Sequence, residues 1–266
     1  MYAISHSNLG REINRVFRFR YVVYSYVYTT LKIRYRRSYL GFFWTMLAPL
    51  IQYLMIGVIM GMLVGSKIPN YYRYYFSGAL FFSLINGVIG KSPLIMIGNE
   101  HYIKKTFVPK TIFILNVVCY EFANFFLSAL GLVVFGAMFG AVELHPTIPL
   151  SILALGFALV FLLGIASFIS VATVYFRDFD YIIPVAMQAL FFVTPITYDM
   201  SMIPEKRAWI ITYNPFYYFV EIFRQPLLGQ VPSWNFYGIV AATSLVTCFL
   251  GLWCLRHFEN KIVFKL

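Results

Sequence analysis

Apolar residues are gathered into long stretches that contain almost no charged side chains. A transmembrane helix needs about 20 apolar residues to cross ~30 Å of hydrocarbon. Six stretches approach or exceed that length, at residues 41–64, 74–90, 111–142, 144–176, 181–198 and 235–255. The second is expected to continue past Lys91, and the fifth is short. We therefore expect six transmembrane helices.

One further apolar stretch, 208–220, is too short to cross a membrane. It contains Asn214-Pro215 and is followed directly by Glu221 and Arg224. We interpret it as a re-entrant or interfacial pair of short helices between spans five and six. The predicted fold class is an all-α polytopic membrane protein.

The segment before the first span carries two opposed stripes of side chains. Aromatic and apolar residues recur at spacings of four and three, and basic and polar residues recur two positions out of phase. Two positions correspond to about 200° on a helix, so the stripes face opposite ways. Residues 1–40 are therefore predicted to form an amphipathic interfacial helix that binds membrane lipid, followed by a six-span domain at 41–266. A β-strand over 21–30 is the alternative, because that segment is rich in Tyr, Val and Thr.

The composition narrows the class of protein. Hydrophobic residues make up 61 % of the 266 residues and charged residues 12 %, and the mean hydropathy is +0.75. A soluble domain is about half apolar and a quarter charged. These values exclude an ordinary cytosolic enzyme, a disordered chain and a secreted disulfide scaffold.

Positive charge exceeds negative charge by +11. In a membrane protein this excess reflects Lys and Arg kept on the cytoplasmic side, so we do not expect nucleic acid as a partner. Six spans put both termini on one side, and most of the Lys and Arg residues then fall on that side. We therefore expect both termini in the cytoplasm.

Two ionisable residues, Lys91 and Glu121, lie within predicted spans. We interpret Glu121, near mid-membrane, as a polar lock between helices, with a proton site or the lining of an aqueous path as alternatives. Gly90-Lys91-Ser92 imitates the end of a phosphate-binding loop but lacks its first glycine and its strand-to-helix setting. No metal-ligand or hydrolase motif appears, so we predict no catalytic residue, metal or cofactor in this chain.

Aromatic residues make up 20 % of the chain. Belts at the membrane interfaces explain many of them. Mid-span aromatics such as Tyr53 indicate instead a surface for C–H-rich ligands, among them sugar rings. For any single residue, a lipid-facing or core position is the alternative.

Three motifs carry a resemblance to a known family. They are the block 31–49, with its basic start and Leu-Gly-Phe-Phe-Trp at 40–44, the turn Arg177-Asp178, and Tyr213-Asn-Pro215 before an aromatic run. Together they are similar to the permease of ABC exporters for bacterial cell-surface polysaccharide, the O-antigen and capsule group. The resemblance covers essentially the whole chain.

This resemblance implies a homodimer in a bacterial inner membrane with two copies of an ABC ATPase subunit, which would bind ATP and Mg. It also implies that the loop 99–110 contacts the ATPase; a plain solvated turn, or contact with lipid phosphates, is the alternative. The candidate coupling residues are Glu100, His101, Tyr102, Lys104, Lys105 and Phe107. In the cytoplasmic turn, Arg177 and Asp178 are expected to pair with each other or to cap helix ends, with gating as a further alternative.

The resemblance places the first and fifth spans along a translocation path. Pro184 and Pro195 bracket the fifth span and favour kinks in it. The candidate path-lining aromatics are Phe42, Trp44, Tyr53, Phe191 and Phe192. The predicted function is ATP-driven export of a lipid-linked polysaccharide. The alternatives are an exporter of capsule, teichoic acid, another lipid or a drug, or a membrane-embedded glycosyl- or acyltransferase.

Overall fold

The computed structural model describes residues 19–34, 39, 41–106, 108–138, 143 and 145–266. The regular elements in these ranges are helical. They are α1 (Arg20–Arg34), α2 (Trp44–Val64), α3 (Tyr71–Lys91), α4 (Leu94–Ile97), α5 (Glu100–Lys105), α6 (Thr111–Met138), α7 (Pro149–Tyr175), α8 (Phe179–Val193), α9 (Trp209–Thr212), α10 (Pro215–Leu227) and α11 (Trp234–Lys265). Short 3-10 turns lie at Gly41–Phe43, Gly65–Lys67, Met200–Met202 and Glu205–Arg207.

Within this part of the chain, 4 helices are long and apolar enough to cross a membrane. They are α2, α6, α7 and, over Trp234–Glu259, α11. With a rise of about 1.5 Å per residue, each covers at least ~30 Å, the thickness of the hydrocarbon layer. The chain is therefore a multi-pass membrane protein, and these helices match the predicted first, third, fourth and sixth spans.

Helices α3 and α8 occupy the other two predicted spans. Helix α3 has 21 residues, most of them buried against its neighbours, so it faces protein more than lipid and tolerates a tyrosine-rich start. Helix α8 has 15 residues, which cover about 22 Å. It ends at Val193, before the predicted boundary at 198. The reason is Pro195, which disfavours helical backbone in the residue before it, and that residue, Thr194, is extended.

The second apolar stretch continues past Lys91, as predicted, but it does so as two helices. Helix α3 ends at Lys91, and buried Ser92 and Pro93 lead into α4, where Met96 is fully buried. The break follows from Pro93, which has no backbone N–H to continue the hydrogen-bond ladder of α3.

Helices α7 and α11 approach each other closely at two glycines. A Cβ added to Gly164 would lie 2.3 Å from the carbonyl oxygen of Thr247, and one added to Gly251 would lie 2.0 Å from the carbonyl oxygen of Gly164. Small residues at such a crossing let two backbones meet without side chains between them. The hydroxyl of Ser244 also donates to the carbonyl of Phe157 across this seam, at 3.1 Å.

Two short helices, α9 and α10, follow in the stretch predicted to be re-entrant. The side chain of Asn214 caps α10 by accepting from the Phe216 amide at 3.0 Å, and Pro215 occupies the first turn, where no donor is needed. Helix α10 runs past the apolar stretch to Leu227, so it includes Glu221 and Arg224. Both are buried, and they neutralise each other.

Helix α1 confirms the helical interpretation of the N-terminal segment over 20–34, against the β-strand alternative. Tyr21, Tyr24 and Tyr28 are exposed, and the helix contacts α6. Residues 1–18, 35–38 and 40 lie outside the described residues, and the position of α1 at the membrane interface stays a prediction.

We predict that Gly164→Val disrupts the seam between α7 and α11. Overpacking lowers the free energy of unfolding by about 1–3 kcal/mol, and we expect a collision with backbone atoms to cost about 3 kcal/mol. This loss corresponds to a fall in Tm of about 6–12 °C. Thermal unfolding of the detergent-solubilised protein measures this effect. The control is Gly156→Val on the same helix, because no atom lies within 4 Å of a Cβ added there. An equal fall in both variants would contradict the prediction.

Candidate functional site

A cavity of about 300 Å³ lies between α2, α3 and α6. Its wall combines aromatic, polar and charged side chains. The aromatic members are Trp44, Tyr53 and Phe125, and the charged members are Lys91 and Glu121. The polar members are Thr45, Gln52, Ser83, Asn124 and Ser128. A polar cavity inside a membrane bundle offers hydrogen bonds to a ligand or to water.

The charged side of the cavity is an ion pair between Lys91 and Glu121, which joins α3 to α6. Glu121 is only 7 % exposed, and the amide of Asn124 donates to its Oε2 at 3.2 Å. Gly87 leaves the space for this carboxylate, since a Cβ there would lie 2.6 Å from Glu121 Oε2. The ammonium of Lys91 also lies 4.6 Å from the ring centroid of Tyr120.

The sequence indicated Lys91 and Glu121 separately, and the structure brings them together. Their contact has the geometry of a polar lock, in which each charge compensates the other where water is scarce. Lys91 and Glu121 are 30 positions apart in the sequence, and nothing in the sequence between them indicates that they pair. Asn124, one helical turn after Glu121, is the signal that could have marked the polar face of α6.

The α2 wall of the cavity is shaped by a proline. Pro49 lies inside α2 and has no backbone N–H, so the carbonyl of Thr45 loses its helical partner. The hydroxyl of Ser128 on α6 donates to that carbonyl at 3.4 Å. Deeper in the bundle, the hydroxyl of Tyr53 points to the Ala79 carbonyl of α3 at 3.5 Å. These contacts attach α2 to α3 and α6.

Only some of the predicted path-lining aromatics line this cavity. Trp44 and Tyr53 line the cavity, whereas the side chain of Phe42 lies outside the described residues. Phe191 packs edge-on against Phe82 of α3, with ring centroids 5.5 Å apart. Phe192 is 65 % exposed on the surface of α8. Adjacent residues on a helix point about 100° apart, so Phe191 and Phe192 do not share one face.

The opposite side of the bundle contains a buried cation that the sequence interpretation missed. Arg224 is 1 % exposed, forms an ion pair with Glu221 and stacks on Tyr74, with its guanidinium carbon 3.6 Å from the ring centroid. Its Nη1 also donates to the Pro195 carbonyl at 2.9 Å. This cluster joins α10 and α3 to the extended segment after α8.

The predicted coupling loop folds into a short helix, α5. Glu100 and Lys104 pair within it at 2.6 Å, and the hydrogen bond from Lys104 lowers the pKa of Glu100. His101, Tyr102 and Lys105 are exposed, and Ile103 is buried. Phe107 lies outside the described residues.

The turn between α7 and α8 exposes Arg177 and Asp178. Neither of the two expected contacts is present in the described part of the chain. Arg177 and Asp178 form no ion pair, and Asp178, although it precedes α8, makes no side-chain capping bond. After Lys104 and His101, the positive charge of Arg177 makes a minor contribution to the lowered pKa of Glu100.

Among the described residues, no group of three or more His, Cys, Asp or Glu side chains is placed to hold a metal ion. The chemistry of the cavity is therefore that of one compensated ion pair, hydrogen-bonding groups and aromatic faces. These groups are hydrogen-bond donors and acceptors suited to a polar molecule.

The fold and these contacts define an α-helical multi-pass membrane protein with a polar cavity inside its helical bundle. The chain belongs to the ABC-2 type transporter family, whose sequence profile matches residues 21–228.

Curated relatives of the chain carry closely similar names. It is 28 % identical over 226 residues to an O-antigen export system permease protein RfbA of Klebsiella pneumoniae, covering 84 % of this chain and 86 % of that protein. A second Klebsiella pneumoniae protein of the same name is 28 % identical, with coverages of 88 % and 89 %. A third, from Myxococcus xanthus, is 27 % identical, with coverages of 77 % and 79 %.

We predict that Glu121→Ala destabilises the contact between α3 and α6. The variant leaves Lys91 and Asn124 without a shared acceptor, and because Lys91 is half-exposed we expect a moderate loss of about 1–3 kcal/mol. Glu121→Gln, which keeps an acceptor oxygen, should lose less. Thermal unfolding in detergent measures both effects, with exposed Glu205→Ala as the control. Equal stability of Glu121→Ala and the control would refute the lock.

Proposed function

We propose that the chain is the permease subunit of an ATP-driven exporter that moves a lipid-linked cell-surface polysaccharide out of the cytoplasm. The observation that carries this proposal is the agreement of the relatives: each is an O-antigen export permease, and each aligns over most of its own length with this chain. Membership of the ABC-2 type transporter family supports the same class of function.

The proposed topology has six spans, with the segments before α2 and after α11 on the cytoplasmic side of a bacterial inner membrane. Helix α3 supports this count because it runs antiparallel between α2 and α6 and buries most of its length. Helix α8 alone is short for a span, but the buried residues Thr194, Pro195 and Ile196 continue it toward the outer side. Helices α9 and α10 then form the re-entrant pair.

Two copies of the chain form the exporter in this proposal, with the path along α2 and α8. Both helices leave large apolar side chains exposed. Those on α2 include Met55, Ile59 and Met62, and those on α8 include Ile182, Val185 and Phe192. Lipid covers such faces on a single subunit, and in the proposed dimer a second subunit would replace part of that lipid.

Sugar contact is assigned to the cavity wall. Trp44 and Tyr53 supply aromatic faces for the C–H side of a sugar ring, and Gln52 and Asn124 supply donors and acceptors for its hydroxyls. Trp44 is 42 % exposed, so its ring is accessible from outside the bundle. A polymer that meets shallow aromatic contacts can slide without being held at one deep site.

ATP is hydrolysed in this proposal by a separate subunit that docks on α5. Exposed His101, Tyr102 and Lys105 would contact it, while the Glu100–Lys104 pair stiffens the helix.

Reconstitution tests the division of labour between the two subunits. The purified chain in lipid vesicles should hydrolyse no ATP, and addition of the ABC ATPase encoded beside its gene should give a complex that does. ATP turnover by the chain alone, or the absence of any complex with that ATPase, would overturn the proposal.

A second test addresses the sugar contact. We expect Trp44→Ala to reduce surface polysaccharide about two- to tenfold, because an aromatic contact contributes about 0.5–1.5 kcal/mol. The control is Trp253→Ala on α11, where a tryptophan of similar exposure, 55 %, lies away from the cavity. Surface polysaccharide per membrane-inserted permease is the measurement. Equal export by both variants would remove Trp44 from the path.

A further inference from the structure

Helix α11 is longer than a helix needs to be to cross the membrane. Helix α11 has 32 residues, or about 48 Å, against ~30 Å of hydrocarbon. About 20 residues counted from Trp234 are enough to cross that layer, so the final turns, with the basic residues Arg256, Lys261 and Lys265, can extend beyond it. The sequence interpretation had placed the end of the span at Leu255.

One face of these final turns packs against the region of α5. Ile262 is fully buried, and α11 contacts α5 directly. Glu259 lies 3.7 Å from the ammonium of Lys110, a nearly buried residue just before α6. A helix of six residues cannot hold its shape alone in water. Ile103 of α5 and Ile262 of α11 are both buried, and the contact between the two helices lets α11 support α5 from behind.

The opposite face of the same turns is exposed and has a regular pattern. Phe264 lies two positions, or about 200°, from Ile262 and is 89 % exposed. His257, Lys261, Phe264 and Lys265 fall at helical spacings of four, three and one, and all four are exposed. An exposed aromatic flanked by lysines, outside the hydrocarbon layer, is typical of an interaction surface.

We propose that the end of α11, residues 257–265, is a second part of the surface that docks the ATPase subunit. This inference rests on the proposed function. Ile262 holds α5 in place, and Phe264 contacts the partner directly, inserting into an apolar depression rimmed by acidic side chains. A soluble protein is favoured over lipid because Phe264 follows Leu255 by nine residues, about 13 Å along the helix, whereas the headgroup layer is only about 5–8 Å thick on each side. The face also lies beside α5, whose exposed side chains are likewise aromatic and basic.

Docking at both α5 and the end of α11 gives the ATPase two mechanical contacts with the bundle. A movement of the ATPase pushes α5 and the end of α11 together. Because α11 is joined to α7 at Gly164 and Gly251, the movement of α11 is passed to α7, while that of α5 is passed to α4. The loosely packed α2 and α8 then follow through their contacts with α3.

The test uses a triple variant of the exposed face, Lys261→Glu, Phe264→Ser and Lys265→Glu, in the full chain. A matched control on the proposed outer side, Lys206→Glu with Trp209→Ser, also changes exposed basic and aromatic residues. The tagged permease is purified from membranes that contain the neighbouring ATPase, and ATPase per permease is measured. We expect at least a fivefold loss for the triple variant and no change for the control.

A second variant, Ile262→Ser, examines the buried face. It should lower ATPase per permease as well, because α5 loses its support while Phe264 stays in place. Full ATPase capture by the triple variant would overturn the inference. A triple variant that enters the membrane poorly but captures ATPase normally would also overturn it, in favour of lipid contact. Failure of the unaltered chain to capture ATPase would instead overturn the proposed function.

Discussion

The guanidinium of Arg224 determines how the bundle is arranged around the start of α3. A charge that is almost fully removed from water must be compensated by fixed partners. Here the partners come from three places: Glu221 on its own helix, the ring of Tyr74 on α3, and the carbonyl of Pro195. One side chain makes all three contacts at once. Helices α10 and α3 and the segment after α8 are therefore held in one arrangement relative to each other.

That arrangement also explains why the chain can leave helical geometry at 194–199. Carbonyls freed by the end of α8 find hydroxyl donors on α3. Tyr74 donates to the carbonyl of Tyr198 at 3.0 Å, and Tyr71 donates to that of Thr197 at 3.1 Å. Asn214 adds a bond from its amide to the hydroxyl of Thr194, at 2.9 Å. Irregular backbone at membrane depth is tolerated where protein groups satisfy it in this way.

The sequence predicted the helices better than the contacts between them. Runs without charge located each long helix, because crossing hydrocarbon constrains composition locally. The burial and pairing of Glu221 with Arg224 could not be predicted, because hydropathy marks a charge but does not identify its partner. The same limit hid the pairing of Lys91 with Glu121. Phe191 and Phe192 were grouped by proximity in sequence, although helical geometry separates their faces.

The glycine seam has a consequence for biogenesis. Helix α11 is synthesised after α7, with more than one helix between them, and chains emerge at about 5–20 residues per second. Until α11 arrives, Gly164 presents a groove of bare backbone to lipid, where small-residue surfaces attract other helices. The nascent subunit therefore passes through a stage in the membrane at which this close-packed contact is still incomplete.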